Sequence, residues 1–399
     1  MLTCLTSGES HGPCLTTIVD GLPAGMSVDL NQVNYHLLRR QKGYGRGGRQ
    51  RIEHDLARIT SGVRHGVTMG GPVTLVIDNR DWVNWAPIMD PLQPPSGKLT
   101  AKQKRLLEET TSPRPGHADL PGGIKWRHHD LRNVLERASA RETAARVAAG
   151  SLVRQLLERF GVQLVGHVVR IGRVAVKPET RQQDLGRLGE LAEKSDVRCA
   201  HPKASILMKA AIREAMKERD SLGGIIELIV RGLPAGLGGF SQWSDRLDSR
   251  LAAALMSIQS AKGVEIGLGF GAAARPGSRV HDEIYYDSHG DPARKRFFRK
   301  TNHAGGLEGG ITNGEDIIAR VAVKPISTLM RPLHTVDVRT KKNTAAMTER
   351  SDVCVVPSVA VISEAVAAIV LADAFLHKFG SDNMIEIERS YRAFLEDKY

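Results

Sequence analysis

The sequence predicts an α+β fold of two related strand–helix halves, with long helices at the centre and sheets outside them. Three observations carry this. The octapeptide "IVDGLPAG" (18–25) returns as "IVRGLPAG" (229–236), seven of eight letters alike at an offset of 211. A Gly-rich turn followed by a β-branched strand occurs twice, as "GVRHGVTMGGPVTLVID" (62–78) and "GGLEGGITNGEDIIARVAV" (305–323). An Ala-rich helical stretch then follows each time, residues 131–161 and 357–380, and both end in Phe-Gly, a common helix stop.

Taken in order, the elements are as follows. The first half occupies about 1–160 and closes with the helix 131–161, ~45 Å long if unbroken. Ala138, Ala140, Ala144, Ala145, Ala148 and Ala149 let other elements approach that helix closely. Residues 161–219 open like a strand ("VQLVGHVVRIGRVAV") and continue as a polar, helical-looking stretch, so they are expected to be a connector inserted between the halves. The second half occupies about 220–399, and the whole chain, 1–399, is expected to be a single domain. Several strands precede each helix and no G-x-G-x-x-G follows a strand, which argues against an alternating βαβ or Rossmann order.

Composition narrows the function. The 399 residues carry a net charge of +12 with only 5% aromatics. A polyanionic partner is expected, and many arginines stand beside glycine, as in "GYGRGGR" and "RPGHAD". That arrangement suits a compact anion approached by backbone and forked by guanidinium. A basic nucleic-acid-binding protein would share the charge, but no recognition motif accompanies it, so no nucleic-acid partner is expected. No uninterrupted apolar run of membrane-spanning length and no basic, apolar leader is present, so neither a membrane span nor a signal peptide is expected. Four scattered cysteines without metal-like spacing fit a cytoplasmic protein, with no metal site.

Candidate chemistry lies in Gly-flanked loops. "GESHG" carries Ser10 and His11, and "SPRPGHADLPGG" carries His117 with Arg114 three residues before it and Asp119 two after. Each histidine is either a working acid–base group or a polar turn residue. "KPIST" (324–328), "ERSDVCVVP" (349–357) and "RASARET" (137–143) put cations and hydroxyls near strand ends and helix termini, where anions bind. The plainer reading of Arg137 and Arg141 is a helix face paired with Glu136 and Glu142.

These stretches together resemble one family, chorismate synthase. The match runs in order through "LTSGESHGPCLTTIVDGLPAG", "RRQKGYGRGGR", "SGVRHG", "RPGHAD", "LERASARETAARVAAG", "GGIIE", "SIQSAKGVEIGLGF", "GGLEGGITNG", "KPIST" and "RSDVCVVP". The resemblance implies long helices sandwiched between antiparallel sheets, a homotetramer, and an anti-1,4-elimination. 5-Enolpyruvylshikimate 3-phosphate would lose its phosphate and a C6 hydrogen to give chorismate, with reduced FMN required and no net redox change. His11 would then protonate the departing phosphate and His117 the flavin. Asp352 and Ser10 would help to move the flavin proton. FMN contacts would fall on Arg137, Ala138, Ser139, Gln259, Ser260, Gly309, Lys324, Pro325, Ile326, Ser327, Thr328 and Arg350. Arg40, Arg46, Arg49, Arg114 and Arg141 would meet the anionic groups of substrate or NADPH, the latter if the chain reduces its own flavin. A flavin oxidoreductase with net redox turnover is the alternative on this scaffold, although no nicotinamide fingerprint is present.

Overall fold

The computed structural model describes residues 1–47, 54–95, 98–176, 184–348, 352–397 and 399. Arg49 and Arg350 lie outside the described residues.

Two antiparallel sheets share one strand order. The first half forms β1 (Thr3–Ser7), β2 (Cys14–Asp20), β3 (Ala57–Ser61) and β4 (Val73–Asp78), arranged β1-β2-β4-β3. The second sheet contains β5 (Gln163–Ile171), β6 (Gly224–Arg231), β7 (Ala261–Ile266) and β8 (Ile317–Val323), arranged β5-β6-β8-β7, with a short edge strand Val174–Ala175 beyond β5. Every pairing in both is antiparallel.

The two LPAG turns are held alike. Thr68 donates its hydroxyl to the Pro23 carbonyl at 2.6 Å and accepts from the Met26 N–H at 2.9 Å. Thr312 donates to the Pro234 carbonyl at 2.7 Å and accepts from the Leu237 N–H at 2.8 Å. Residues 163–171, expected to belong to the connector, are β5, and they occupy in the second sheet the position β1 has in the first. The strand is buried on both faces along Gly166–Val169, as a strand covered by helices on both sides is.

Between the sheets lie α1 (Leu30–Gln41), α4 (Thr143–Arg159) and α8 (Val356–Phe379). α4 packs on the first sheet, α8 on the second, and the two helices pack on each other. Their interface is close because it is built from small residues. Gly150 in α4 faces the backbone of α8, and a Cβ there would come within 2.3 Å of the Ala365 carbonyl oxygen. By length and composition α8 could cross a membrane. Here it is buried on nearly all sides in the centre of the fold, which accounts for a helix with no polar face.

A polar group inside this layer is neutralised locally. Glu364 of α8 is 2% exposed and accepts from Arg39 of α1 at 2.5 and 2.9 Å and from Arg154 of α4 at 2.9 Å. Burial alone would raise its pKa. The arginine charges and hydrogen bonds outweigh that and hold it well below the usual carboxylate range. The carboxylate thereby ties all three central helices together.

The helix expected over 131–161 is broken. It consists of α3 (Arg132–Ala138), a 3₁₀ turn Ala140–Glu142, and α4. Ser139 takes extended backbone, φ −60° and ψ 140°, and its hydroxyl accepts from the Arg141 N–H. A serine that caps the following turn competes with continued helix, and here the cap wins. α2 (Trp82–Met89), α5 (Leu185–Lys194), α6 (Pro202–Glu218), α7 (Leu247–Met256) and α9 (Met384–Glu396) complete the elements used below.

Candidate active site

A cleft of about 400 Å³ opens where the α3–α4 break, the start of α8, the β8 exit and the loop after β1 converge. It brings together most of the sequence-predicted residues: Ser10, His11, Arg40, Arg46, Arg114, His117, Ala138, Ser139, Arg141, Gln259, Ser260, Lys324, Ile326, Ser327, Thr328 and Asp352 all line it. Arg137, Gly309 and Pro325 do not. Arg137 instead donates to the Gly8 and Thr6 carbonyls at 2.9 and 2.8 Å, bracing the β1 end of the loop that carries His11. Gly309 sits in the short hairpin Leu307–Thr312, whose other partners are Gly238 and the start of α7.

The two histidines are mounted in the same way. His11 has Nδ1 at 2.9 and 3.0 Å from the Glu136 carboxylate on α3, and its backbone N–H donates to the same group at 2.8 Å. Glu136 is 2% exposed. Burial would raise its pKa, but the His11 hydrogen bond and charge outweigh this and lower it. His117 has Nδ1 at 2.6 Å from Asp119, which is wholly buried. Arg114 closes on the same carboxylate through Nε at 2.8 Å, and burial is again outweighed by His117 and Arg114, which hold Asp119 well below its ordinary value. A carboxylate at Nδ1 fixes the tautomer, so that proton exchange falls to Nε2. In the sequence Asp119 reads only as a neighbour of His117, and Glu136 as part of a helix face. Nothing local marks Glu136, since 125 positions separate it from His11.

The cleft is strongly cationic. Among the described residues, five cationic side chains line it, Arg40, Arg46, Arg114, Arg141 and Lys324, against one lining carboxylate, Asp352. Behind them, Asp55 accepts from Arg141 at 2.5 Å and Arg40 at 3.4 Å, so one buried carboxylate orients two guanidinium groups. Arg40 also donates to Thr143 and to the Ala140 carbonyl, which locks it to the α3–α4 break. Arg46 bridges Asp352 at 3.1 Å and Ser358 of α8 at 2.6 Å, and the Gly47 N–H donates to Asp352 at 2.5 Å. Lys324 donates to the Gly116 carbonyl. Burial, then the nearby Lys262, lowers its pKa. Gly116 has φ +79°, and a side chain there would meet the Lys324 ammonium at 3.3 Å.

Two polar atoms at the cleft have no hydrogen-bond partner among the described residues: Gln259 Oε1 and Arg46 Nε, both buried. The Gln259 amide nitrogen is already committed to Glu142 at 3.1 Å. Such atoms are rare in folded proteins and fit a polar ligand.

Comparison with known proteins gives one answer. The chorismate synthase family model matches residues 2–376. The chorismate synthase of Geobacter metallireducens is 53% identical over 400 residues, 99% of each chain. That of Symbiobacterium thermophilum is 53% identical over 394 residues, 98% of each chain. A chorismate synthase crystal structure superposes with a TM-score of 0.77 at 40% identity, covering 99% of this chain and 97% of the other. With family model, full-length relatives and solved fold in agreement, the chain belongs to the chorismate synthase family.

Proposed function

We propose that the cleft converts 5-enolpyruvylshikimate 3-phosphate to chorismate by anti-1,4-elimination, with reduced FMN bound beside the substrate. The observation that carries this is the pair of histidines, each held at Nδ1 by a buried carboxylate, in a cleft whose described residues set five cations against one acid. A substrate with a phosphate and two carboxylates needs such convergent cations, and a departing phosphate needs a proton.

The donor set also fits a flavin phosphate and ring edge. Ala138 and Ser139 at the helix break, Gln259 with its unpartnered Oε1, Ser260, and the Lys324–Thr328 turn would hold it. When bound, the reduced flavin supplies transient reducing power without net oxidation of substrate. The chain's own residues do the rest. Arg40, Arg114 and Arg141 orient the anionic groups, their charges directed by Asp55 and Asp119. His11 holds a proton at Nε2 for the leaving phosphate, and His117 holds one on its own wall of the cleft. Asp352, clamped by Arg46 and the Gly47 N–H, is placed to accept a proton, with Ser10 as its relay.

The reading extends to a cytoplasmic homotetramer, and the four free cysteines are consistent with a reducing compartment. The test is an anaerobic assay with purified protein, 5-enolpyruvylshikimate 3-phosphate and dithionite-reduced FMN, following chorismate absorbance and phosphate release. Product only with reduced flavin is expected. A repeat with NADPH and oxidised FMN reads whether the chain reduces its own flavin. Absence of product from folded, FMN-binding protein would overturn the substrate assignment.

A further inference from the structure

Glu136 holds His11 from the edge of its ring, through Nδ1 and the backbone N–H. Both carboxylate oxygens meet Nδ1 and act in the plane of the ring, so they bear on its edge and not on its face. A second group bears on the face of the ring. The indole of Trp85 in α2 stacks on the imidazole with ring centroids 3.7 Å apart and planes 25° from parallel. The indole is itself fixed, because Trp85 Nε1 donates to Asp81 at 3.0 Å. The Asp81 N–H donates to the Asn79 side chain at 3.0 Å, and Asn79 donates from its amide to the Gly12 carbonyl at 2.8 Å and from its backbone to the Pro13 carbonyl at 2.9 Å. This chain of contacts begins on the face of His11 and returns to the loop that carries it.

We propose that Trp85 is a positioning residue for the elimination, setting the plane of His11 so that Nε2 points at the leaving phosphate. The inference rests on the reading of His11 as the acid. A stacked indole does this better than an aliphatic side chain. Its flat face penalises ring rotation, and its electron-rich surface accommodates the imidazolium as readily as the neutral ring. Trp85 is half-buried and stands outside the hydrophobic core, so replacing it leaves the central packing alone.

Reaction geometry is steep: misplacement by about 1 Å can lower a rate about a hundredfold. In holoenzyme with reduced FMN, Trp85→Leu should therefore lower kcat roughly ten- to a hundredfold, with KM and thermal midpoint unchanged. Trp85→Phe, which keeps an aromatic face, should retain most of kcat. Trp85 emission, read as the difference between the parent and Trp85→Phe, should change when His11 is replaced by alanine. Should Trp85→Leu not fold, Asp81→Ala keeps the ring but unties it, and a fall in kcat at constant KM is expected there.

Wild-type kcat in Trp85→Leu, beside an inactive His11→Ala, overturns the proposal while leaving the role of His11 standing. Equal losses in the Phe and Leu variants overturn it as well, because an aromatic face is then not what matters. Emission indifferent to His11→Ala removes the stacking itself. An active His11→Ala fails the parent reading instead, and the emission arm distinguishes the two cases.

Discussion

Gly150 of α4 lies directly against the backbone of Ala365 in α8, so close that a Cβ would sit 2.3 Å from the carbonyl oxygen. This contact sets the spacing of the central helix pair. α8 also carries Ser358, Val359 and Ile362 into the cleft wall, so helix spacing and site geometry are coupled. Gly150→Ala should destabilise the protein by at least about 1–3 kcal/mol, as overpacked cores do, and should lower activity in parallel. Urea unfolding with assays of the folded fraction checks both, and an unchanged midpoint would sink the claim.

His11→Ala and His117→Ala should each fold, bind FMN and lose about 10²–10⁴ in turnover, the usual worth of an acid–base group. Flavin titration and anaerobic turnover measure the two properties separately. Near wild-type rates in both variants would remove the assignment of proton transfer to these rings.

The carboxylates behind the histidines should make stability fall in acid. Asp119 and Glu136 both have lowered folded-state pKa values, despite burial, because histidine and arginine partners favour the ionised form. The folded state therefore binds fewer protons than the unfolded chain. Their contribution is fully present above the unfolded carboxylate values of about 4 and is lost as pH falls through the lower folded ones. Thermal midpoints measured from neutral pH down to strong acid should drop less steeply in Asp119→Asn than in the parent. Parallel curves would show that Asp119 is not responsible.

Asp55 holds two guanidinium groups and is 3% exposed. Removing one member of a buried ionic cluster typically costs 3–5 kcal/mol, so Asp55→Ala should lose about that much. Substrate KM should rise as Arg40 and Arg141 lose their shared anchor. Denaturation and steady-state kinetics test these independently, and unchanged KM would detach Asp55 from the binding site.

The site was legible where chemistry and local sequence coincide. His11 and His117 stand in Gly-flanked loops whose form is local, and the Lys324–Thr328 turn follows its strand immediately. The helix break at Ser139 was hidden because the alanines on both sides of that serine favour continued helix. Only the placement of Arg40 and Thr143 against the Ala140 carbonyl shows what the break is used for. The strand character of β5 was legible but its place in the second sheet was not, because a strand reveals its sheet only through its partner, and that partner, β6, lies more than 50 residues further on.

By itself the sequence determined the α+β character, the repeated LPAG turns, the helical core stretches, the family and the identity of most cleft residues. These depend on periodicity, turn chemistry and residue type, which act over a few positions. Tertiary structure alone decided which carboxylate stands behind each ring, that Asp55 serves two arginines, and that Trp85 covers His11. Except for the pairing of His117 with Asp119 two residues on, those are contacts between segments up to 125 residues apart, and packing, not local preference, selects them.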